Sequence, residues 1–393
     1  MRSTVTPQRS TGGRDADVDG DSETGVPCSC WWRSLPEFED FAGVGTPRAT
    51  AARTSTARMR VVREMERLAS AAAYSLDDLR HRLLTYRAGD LWFPAGGLGK
   101  QDTDIPPVIT LLFLGFAGVG KSSLVNLMYS VLGRSGFIPF AHTTNPAGSD
   151  GKTTCLEEHN VLRSMKNGFC VFDSPGFDYS HISAGLDELT EWMEVGVRHR
   201  QVCKPSADTS STPSTSSSTV VANRFARRRV NCAVVIASLS ELHRSLLTSH
   251  LLPLDATRQL FRHHSIRETC NDGPILILTH GDELTPDERI DTRVAICEYL
   301  GITETTGIYD VPCANEYGVH IDDFDPVTAY AVAEAVYRAL VVADRCHPPK
   351  PGLKDWLLVL ISWLMFALSS FFAFLSCCCS KLAKMNRDYQ KMR

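Results

Sequence analysis

The residues with the clearest chemical signature lie in Gly115–Ser122, whose sequence GFAGVGKS matches the pattern G-x-x-x-x-G-K-[ST] in full. An apolar run precedes this segment and a helical pattern follows it, which is the context that the motif requires. Glycines let backbone N–H groups approach a phosphate chain, and a helix N-terminus favours an anion. The pattern therefore predicts a phosphate-binding loop, called the P-loop below, whose binding residues are Gly115, Gly118, Val119, Gly120, Lys121, Ser122 and Ser123.

Two side chains of the P-loop have predicted roles in chemistry. Lys121 is expected to reach the β- and γ-phosphates and to act in catalysis, and the Ser122 hydroxyl is placed to bind Mg²⁺. A further metal ligand is predicted at Asp173, which ends an apolar run and begins the sequence DSPG. A carboxylate at the carboxyl end of a strand would hold Mg²⁺ directly or through water, and the amide of Gly176 would sense the γ-phosphate.

A threonine completes the predicted metal site. Thr153 and Thr154 follow a loop rich in Gly, Asn and Pro, between the predicted first helix and second strand. Either hydroxyl would close over Mg²⁺ and the γ-phosphate. We take Thr154 as the candidate metal ligand and catalytic residue.

A P-loop does not select the base, so a second element must do so. The sequence THGD, Thr279 to Asp282, follows an apolar run and resembles the guanine-specifying [NT]-K-x-D motif, with His280 in place of lysine. Guanine presents its N1–H and 2-amino groups as paired donors for a carboxylate, whereas adenine has no such pair. Asp282 is therefore the candidate guanine reader, with Thr279 and His280 beside it, and the alternative is that Asp282 caps a helix. Ala314 and Asn315, in the sequence PCAN, resemble the fifth GTPase element, whose backbone amides contact the base.

Taken in order, these motifs span residues 109–319 and resemble the translation-factor-related class of P-loop GTPases. The nearest likeness is to septin-like and immunity-associated GTPases and to chloroplast outer-envelope import-receptor GTPases, which add a C-terminal membrane segment. The sequences YRAGDLW (86–92), EEHNVLR (157–163) and GFCVFDSPGF (168–177) are also similar to an uncharacterised plant P-loop NTPase family. The resemblance implies GTP or GDP as bound nucleotide, Mg²⁺ as cofactor, GTP hydrolysis with a nucleotide-dependent change in conformation or self-association, and a homodimer or related GTPase as partner.

One residue departs from that pattern. Phe177 stands at or beside the place where many small GTPases keep the glutamine that orients water, so we expect slow hydrolysis without a partner or a second subunit. His142, His181 and Arg229 are further conceivable contributors. Two alternatives remain open from the sequence: a nucleotide-dependent scaffold without significant turnover, and an ATPase if His280 reflects loss of guanine selectivity.

The elements that must position these residues alternate between short β-rich runs and helical segments. This alternation predicts an α/β domain over residues 106–347 with a doubly wound, mostly parallel six-stranded sheet. The predicted strands are Ile109–Leu114, Leu156–Leu162, Gly168–Phe172, Asn231–Ala237, Ile275–Leu278 and Ile308–Val311.

The segments around this domain have different compositions. Residues 1–57 are rich in Gly, Ser, Thr, Arg and Asp, which predicts a disordered arm with a short docking motif at Trp31, Trp32 and Phe38. Apolar residues at helical spacing predict a helical extension over residues 58–105. Residues 204–229 carry a tract rich in Ser and Thr followed by arginines, which predicts a mobile insertion or a phosphorylation-controlled loop.

The overall composition excludes several classes of function. The chain has 393 residues, 43% of them hydrophobic, and a formal net charge of -4 from well-mixed charges, so no nucleic-acid partner is expected. Its 13 cysteines form no matched CxxC pairs, which argues against zinc and for reduced thiols.

The C-terminal part contains an uncharged apolar stretch from Trp356 to Ser376. Its length is close to the about 20 residues that span a bilayer as a helix, and basic residues flank it on both sides. The sequence therefore predicts a transmembrane helix at 356–376, a Cys-rich and basic tail at 377–393, and a single-pass anchor in the lipid bilayer with the GTPase domain facing the cytosol. A plastid or mitochondrial outer membrane and the ER remain open, and Cys377–Cys379 are candidates for S-palmitoylation.

Overall fold

The structure is a computed structural model that describes residues 30–38, 52–94, 99–133, 141, 153–162, 168–203, 225–270, 273–312, 325–350 and 352–391. Its seven strands are β1 Ile109–Gly115, β2 Cys155–His159, β3 Phe169–Asp173, β4 Gln201–Val202, β5 Cys232–Ser238, β6 Ile275–Thr279 and β7 Ile308–Asp310. Its α-helices are α1 Ala52–Thr85, α2 Lys121–Gly133, α3 Ile182–Val195, α4 Leu239–Leu247, α5 Leu252–Phe261, α6 His264–Thr269, α7 Pro286–Leu300, α8 Pro326–Arg345 and α9 Leu353–Lys391.

The strands form one mixed sheet in the order β4-β2-β3-β1-β5-β6-β7. The pairs β3-β1, β1-β5, β5-β6 and β6-β7 are parallel, whereas β2 is antiparallel to both β3 and β4. The predicted α/β class is confirmed, but the prediction of six strands in a simple doubly wound sheet is wrong. The added strand β4 has two residues, which is too short for a periodic pattern to reveal.

The centre of the sheet is covered on both faces. Every residue of β1, β3, β5 and β6 is buried, which explains why these strands are almost continuously apolar instead of alternating. On one face, Leu111 and Phe113 of β1 approach Leu124 of α2 and Val332 of α8. This burial fixes the parallel strands whose carboxyl ends carry the candidate site.

Asp344 joins the helical extension to the domain. Its side chain is fully buried near the end of α8 and accepts hydrogen bonds from the backbone N–H of Gly89 (3.0 Å) and Leu91 (2.9 Å). His347 lies 3.2 Å from the same carboxylate. The turn in the sequence YRAGDLW therefore supplies two backbone amides to one buried acid. A buried acid of this kind must be hydrogen-bonded.

Residues 30–38 are folded against the domain, which differs from the disordered arm expected for residues 1–57. Trp31–Ser34 is a short 3-10 helix in which Trp32 is buried. The Trp32 indole N–H donates to the carboxylate of Glu66 on α1 at 3.1 Å, and Arg33 donates two hydrogen bonds to it. A large aromatic side chain with a satisfied N–H stabilises this docking. The remainder of the arm, residues 1–29 and 39–51, lies outside the described residues.

Within the described ranges, two helices are long and apolar enough to cross a membrane by length and composition. Within α8, 67% of the apolar window is buried, and this helix packs on the sheet. In α9, the window Trp356–Lys381 has a mean hydropathy of 2.3 and none of it is buried. An apolar helix of this kind is therefore present at the predicted position of the anchor.

We predict that Trp32→Ala releases residues 30–38 from α1. Replacing a buried tryptophan by alanine costs about 3–5 kcal/mol, which weakens the docking of this nine-residue segment. Limited trypsin digestion of the full chain should then cleave after Arg33 much faster than in the wild-type protein. Tyr74→Ala, on an exposed side chain of α1, is the matched control. Equal cleavage rates after Arg33 in Trp32→Ala and the control would contradict the docking.

Candidate nucleotide-binding site

The P-loop connects the buried strand β1 to the first turn of α2. Gly118 and Gly120 have positive φ angles of 80° and 83°, a conformation that glycine adopts without steric cost. The helix begins at Lys121, so its first backbone N–H groups face the loop. The structure therefore places all seven predicted P-loop residues in one strand–loop–helix unit.

Lys121 is buried at this point. Its Nζ donates hydrogen bonds to the carbonyl oxygens of Gly115 (3.2 Å) and Phe116 (2.9 Å). Burial lowers the pKa of the ammonium group to about 8, and the nearby carboxylate of Asp173 acts in the opposite direction. A cation without full solvation is thereby held inside the loop, where an anion would stabilise it.

Asp173 lies beside this lysine at the carboxyl end of β3. Its Oδ2 accepts a hydrogen bond of 2.5 Å from the Ser122 hydroxyl, while its Oδ1 is buried and has no hydrogen-bond partner among the described residues. Burial raises the pKa of Asp173 to about 6, against the effects of Lys121 and Ser122. A hard cation between the hydroxyl and the carboxylate would satisfy the unpaired oxygen, so these donors fit Mg²⁺.

The segment after Asp173 packs directly on the P-loop. A Cβ added to Gly176 would lie 2.5 Å from the Cα of Ala117, so only glycine permits this approach. The Ala117 N–H donates to the carbonyl oxygen of Phe177 at 3.0 Å, and the Phe177 N–H donates to the carbonyl oxygen of Gly115 at 3.1 Å. The DSPG segment is therefore joined to the P-loop by a pair of backbone hydrogen bonds.

Aromatic side chains hold this junction in place. Phe177 is buried and stacks on Trp192 of α3 with ring centroids 6.0 Å apart, so its side chain belongs to the core. Phe116 stacks on Tyr179 at 3.9 Å, and the Tyr179 hydroxyl donates to Glu241 of α4 at 2.7 Å. Tyr179 cannot be recognised from the sequence alone, because an aromatic residue after a turn has no distinctive pattern.

Two of the predicted base-selecting residues, Thr279 and His280, lie against the P-loop. The Thr279 hydroxyl donates to the carbonyl oxygen of Val119 at 2.8 Å. His280 adopts a left-handed conformation with φ of 56°, and its Cε1 would lie 3.6 Å from a Cβ placed on Gly120. His280 therefore lies next to Gly120 of the P-loop.

Asp282 is exposed in the short 3-10 helix Gly281–Glu283. The N-cap of the following helix α7 is Thr285, whose hydroxyl accepts from the Glu288 N–H in a capping box. Asp282 therefore does not have the capping role for α7 that the sequence left open, and it lies three residues after the carboxyl end of β6.

The remaining candidate residues are Thr154, Ala314, Asn315 and His142. Thr154 is exposed just before β2, and its carbonyl oxygen accepts from the Cys203 N–H at 3.3 Å. None of the hydrogen bonds found among the described residues joins Thr154 to Lys121, Ser122 or Asp173. Ala314, Asn315 and His142 lie outside the described residues.

The two other conceivable catalytic contributors are both at the surface. His181 is exposed next to α3, with its Nδ1 3.1 Å from the carboxylate of Asp178. Arg229 is also exposed, and its neighbour Arg228 pairs with Glu158 of β2 at 2.9 Å.

The structure adds acidic and basic residues that sequence reasoning missed. Glu157 of β2 is the cross-strand partner of Asp173 and contributes to the raised pKa of that acid. Arg289 of α7 forms a buried ion pair with Asp310 at the end of β7. No signal in a single sequence pairs residues across strands or across a helix and a strand.

Comparisons with known proteins point to GTPases. No family model matches the chain. A stretch of 118 residues is 30% identical to the small ribosomal subunit biogenesis GTPase RsgA 1 of Listeria monocytogenes, covering 29% of this chain and 28% of that relative. The chain therefore spans less than a third of the curated relative that it matches.

Two solved structures are also similar to parts of the chain. A dimerization-deficient mutant of Toc33 from Arabidopsis thaliana has a TM-score of 0.32 and 16% identity over 70% of this chain and 92% of its own. The signal recognition particle receptor SRb-GTP/SRX complex from Chaetomium thermophilum has a TM-score of 0.30 and 11% identity over 58% and 99%. The sequence relative is a distant GTPase. The chain itself has a P-loop at the end of the central strand of a mixed sheet.

Proposed function

We propose that this chain is a membrane-anchored GTP-binding protein that hydrolyses GTP slowly and changes conformation or self-association with its nucleotide state. The observation that carries the proposal is the group of Lys121, Ser122 and Asp173 at the P-loop, in which Lys121 and Asp173 are buried. It combines a partly desolvated cation with a carboxylate oxygen that has no hydrogen-bond partner in the described part of the chain. A triphosphate and a divalent cation would supply the two missing interactions.

Each residue of the proposed site has a defined role in binding the nucleotide or Mg²⁺. Lys121 leaves the carbonyl oxygens of the loop to contact the β- and γ-phosphates, and the P-loop amides bind the remaining phosphate oxygens. Ser122, Asp173 and Thr154 are the proposed ligands of Mg²⁺. When bound, Mg²⁺ neutralises charge on the phosphate oxygens during hydrolysis. The Gly176 amide, fixed against Ala117, faces the γ-phosphate.

Base recognition is assigned to Asp282, supported by Thr279 and His280. Asp282 would accept hydrogen bonds from the N1–H and the 2-amino group of guanine. His280 takes the place of the lysine that packs beside the base in the motif that it resembles. Ala314 and Asn315 are proposed to contact the base through their backbone amides.

Slow hydrolysis follows from the position of Phe177. Its side chain is buried against Trp192 instead of facing the phosphate site, so this position offers no polar group to orient water. A homodimer or a related GTPase is the proposed source of the missing group. Turnover measured as a function of protein concentration tests this, because a catalytic dimer raises the rate per subunit.

A second candidate function is a nucleotide-dependent scaffold without significant turnover. The backbone hydrogen bonds between Phe177 and the P-loop favour it, because they tie down a segment that would have to adjust during catalysis. Absence of GTP hydrolysis under dimer-forming conditions, with nucleotide still bound, would select this function. An ATPase is distinguished from both by competition between GTP and ATP.

We assign membrane anchoring to residues 356–376 within α9. All of the described apolar side chains in this stretch are exposed, including Trp356, Phe366 and Phe372. A lipid bilayer would cover this surface, which water does not solvate well. Lys350 and Lys354, before the stretch, fit a cytosolic flank. The plastid or mitochondrial outer membrane and the ER are the proposed locations.

The first prediction of the proposed function concerns the P-loop. Lys121→Ala should weaken GTP binding by roughly a hundredfold or more, since hydrogen bonds to charged groups contribute about 1.5–3 kcal/mol each. Binding of GTP in the presence of Mg²⁺ would be measured by calorimetry on the full chain. Lys100→Ala, which removes an exposed lysine, is the control. A folded Lys121→Ala protein with wild-type affinity would refute the phosphate site.

The second prediction concerns the base. Asp282→Asn should weaken GTP binding and favour xanthosine triphosphate, because the asparagine amide donates to the extra carbonyl oxygen of that base. Competition binding of the two nucleotides measures the change, with the neighbouring exposed acid tested in Glu283→Gln. If the affinities of both nucleotides stay at their wild-type values, Asp282 does not read the base.

The third prediction concerns the anchor. Leu364→Arg together with Phe366→Arg places two charges near the bilayer midplane, at about 2.5–3.5 kcal/mol each on insertion scales. The protein should move from the carbonate-resistant membrane fraction to the soluble fraction and still bind GTP. Leu247→Arg with Leu251→Arg, on exposed side chains of the domain, is the matched control. A wild-type protein that carbonate strips from membranes would disprove the spanning helix.

A further inference from the structure

A buried ion pair lies directly below the base-selecting loop. Arg289, in the first turns of α7, donates from Nε to Oδ2 of Asp310 at 2.6 Å and from Nη2 to Oδ1 at 2.8 Å. The Asp310 side chain is fully buried and only 7% of the Arg289 side chain is exposed. A bidentate pair of this kind has a fixed geometry, and removal of one partner leaves a buried charge.

The pair fills the space in which Gly281 would carry a side chain. A Cβ on Gly281 would lie 2.7 Å from Nε of Arg289 and 2.9 Å from Oδ1 of Asp310. The backbone that presents Asp282 therefore rests on the ion pair. Because Asp310 is the last residue of β7, the same pair also fixes the end of that strand.

The docked segment 30–38 covers the other side of Arg289. The guanidinium carbon of Arg289 lies 4.2 Å from the centroid of the Trp31 ring, a cation–π contact. Trp31 is held there by its neighbours Trp32 and Arg33, which bind Glu66 of α1. Arg289 is thus enclosed by an aromatic ring, a carboxylate and the backbone of the base loop.

We propose that Arg289 is a positioning residue for base selection, which orients Asp282 through Gly281 and is itself held in place by Trp31. This role depends on the proposed GTP binding and extends it to a specificity determinant outside the motif. The docked segment 30–38 thereby contributes to the choice of nucleotide. Lysine cannot replace arginine here, because one ammonium group cannot form the bidentate pair and the planar stack together.

Helix α7 provides a matched control one turn further on. Arg293 is as deeply buried as Arg289, but its Nη2 donates to the carbonyl oxygens of Glu304 (2.8 Å) and Ile308 (3.3 Å). Ile308 is at the opposite end of β7 from Asp310. Arg293→Lys therefore perturbs a buried arginine of the same helix and strand without touching the base loop.

The test compares GTP with inosine triphosphate, which lacks the 2-amino group of guanine. Dissociation constants of both nucleotides with Mg²⁺ would be measured on the full chain in lipid nanodiscs for the wild type, Arg289→Lys, Trp31→Ala and Arg293→Lys. The ratio of the two constants reports how well the Asp282 carboxylate is aligned with the base. General destabilisation changes both constants together and leaves the ratio unchanged.

We expect Arg289→Lys to reduce the preference for GTP by roughly tenfold, the effect of one misaligned hydrogen bond to a charged group. Trp31→Ala should reduce it by a smaller factor, and Arg293→Lys should lower only the thermal unfolding midpoint. A wild-type ratio in Arg289→Lys overturns the proposal. If that variant fails to fold, an unchanged ratio in Trp31→Ala overturns it. Failure of the proposed function is distinguishable, because the wild-type protein itself would then not bind GTP or not prefer it.

Discussion

The architecture of the candidate site depends on two opposite charges buried at the ends of neighbouring strands. Lys121 follows β1, Asp173 ends β3, and the pairing of Phe113 with Asp173 sets their relative position. Burial favours the neutral form of each group. It lowers the pKa of Lys121 to about 8 and raises the pKa of Asp173 to about 6. The fold therefore maintains charges that water would solvate better, and a ligand with complementary charges would offset this cost.

That constraint extends from the phosphate site to the base loop. Thr279 is bonded to the P-loop through Val119, so the ends of β1 and β6 are one unit. The ion pair of Arg289 and Asp310 then joins the end of β7 to the same loop. Parallel strands bring these three loops to one edge of the sheet, and side-chain contacts fix their relative positions.

The sequence was sufficient for those parts of the molecule that depend on local patterns. Glycine spacing located the P-loop, and continuous apolar runs located six of the strands to within a few residues. It was insufficient where a contact joins distant segments, as in the stacking of Trp31 on Arg289 or the pairing of Glu157 with Asp173. The segment around Trp32 has the composition of a disordered arm, yet a few aromatic contacts with α1 are enough to order residues 30–38.

The aromatic residues around Phe177 limit how the site responds to a ligand. Burial of a phenylalanine side chain contributes about 1.5–3 kcal/mol, which is as large as a typical coupling between two binding sites. A nucleotide could therefore displace Phe177 only by rearranging Phe116, Tyr179 and Trp192 with it, since these rings contact one another. Tyr179 also binds Glu241, so such a rearrangement would reach α4. Any movement of the DSPG segment must accordingly be a two-state change that extends to the surface of the domain, because packed side chains do not deform gradually.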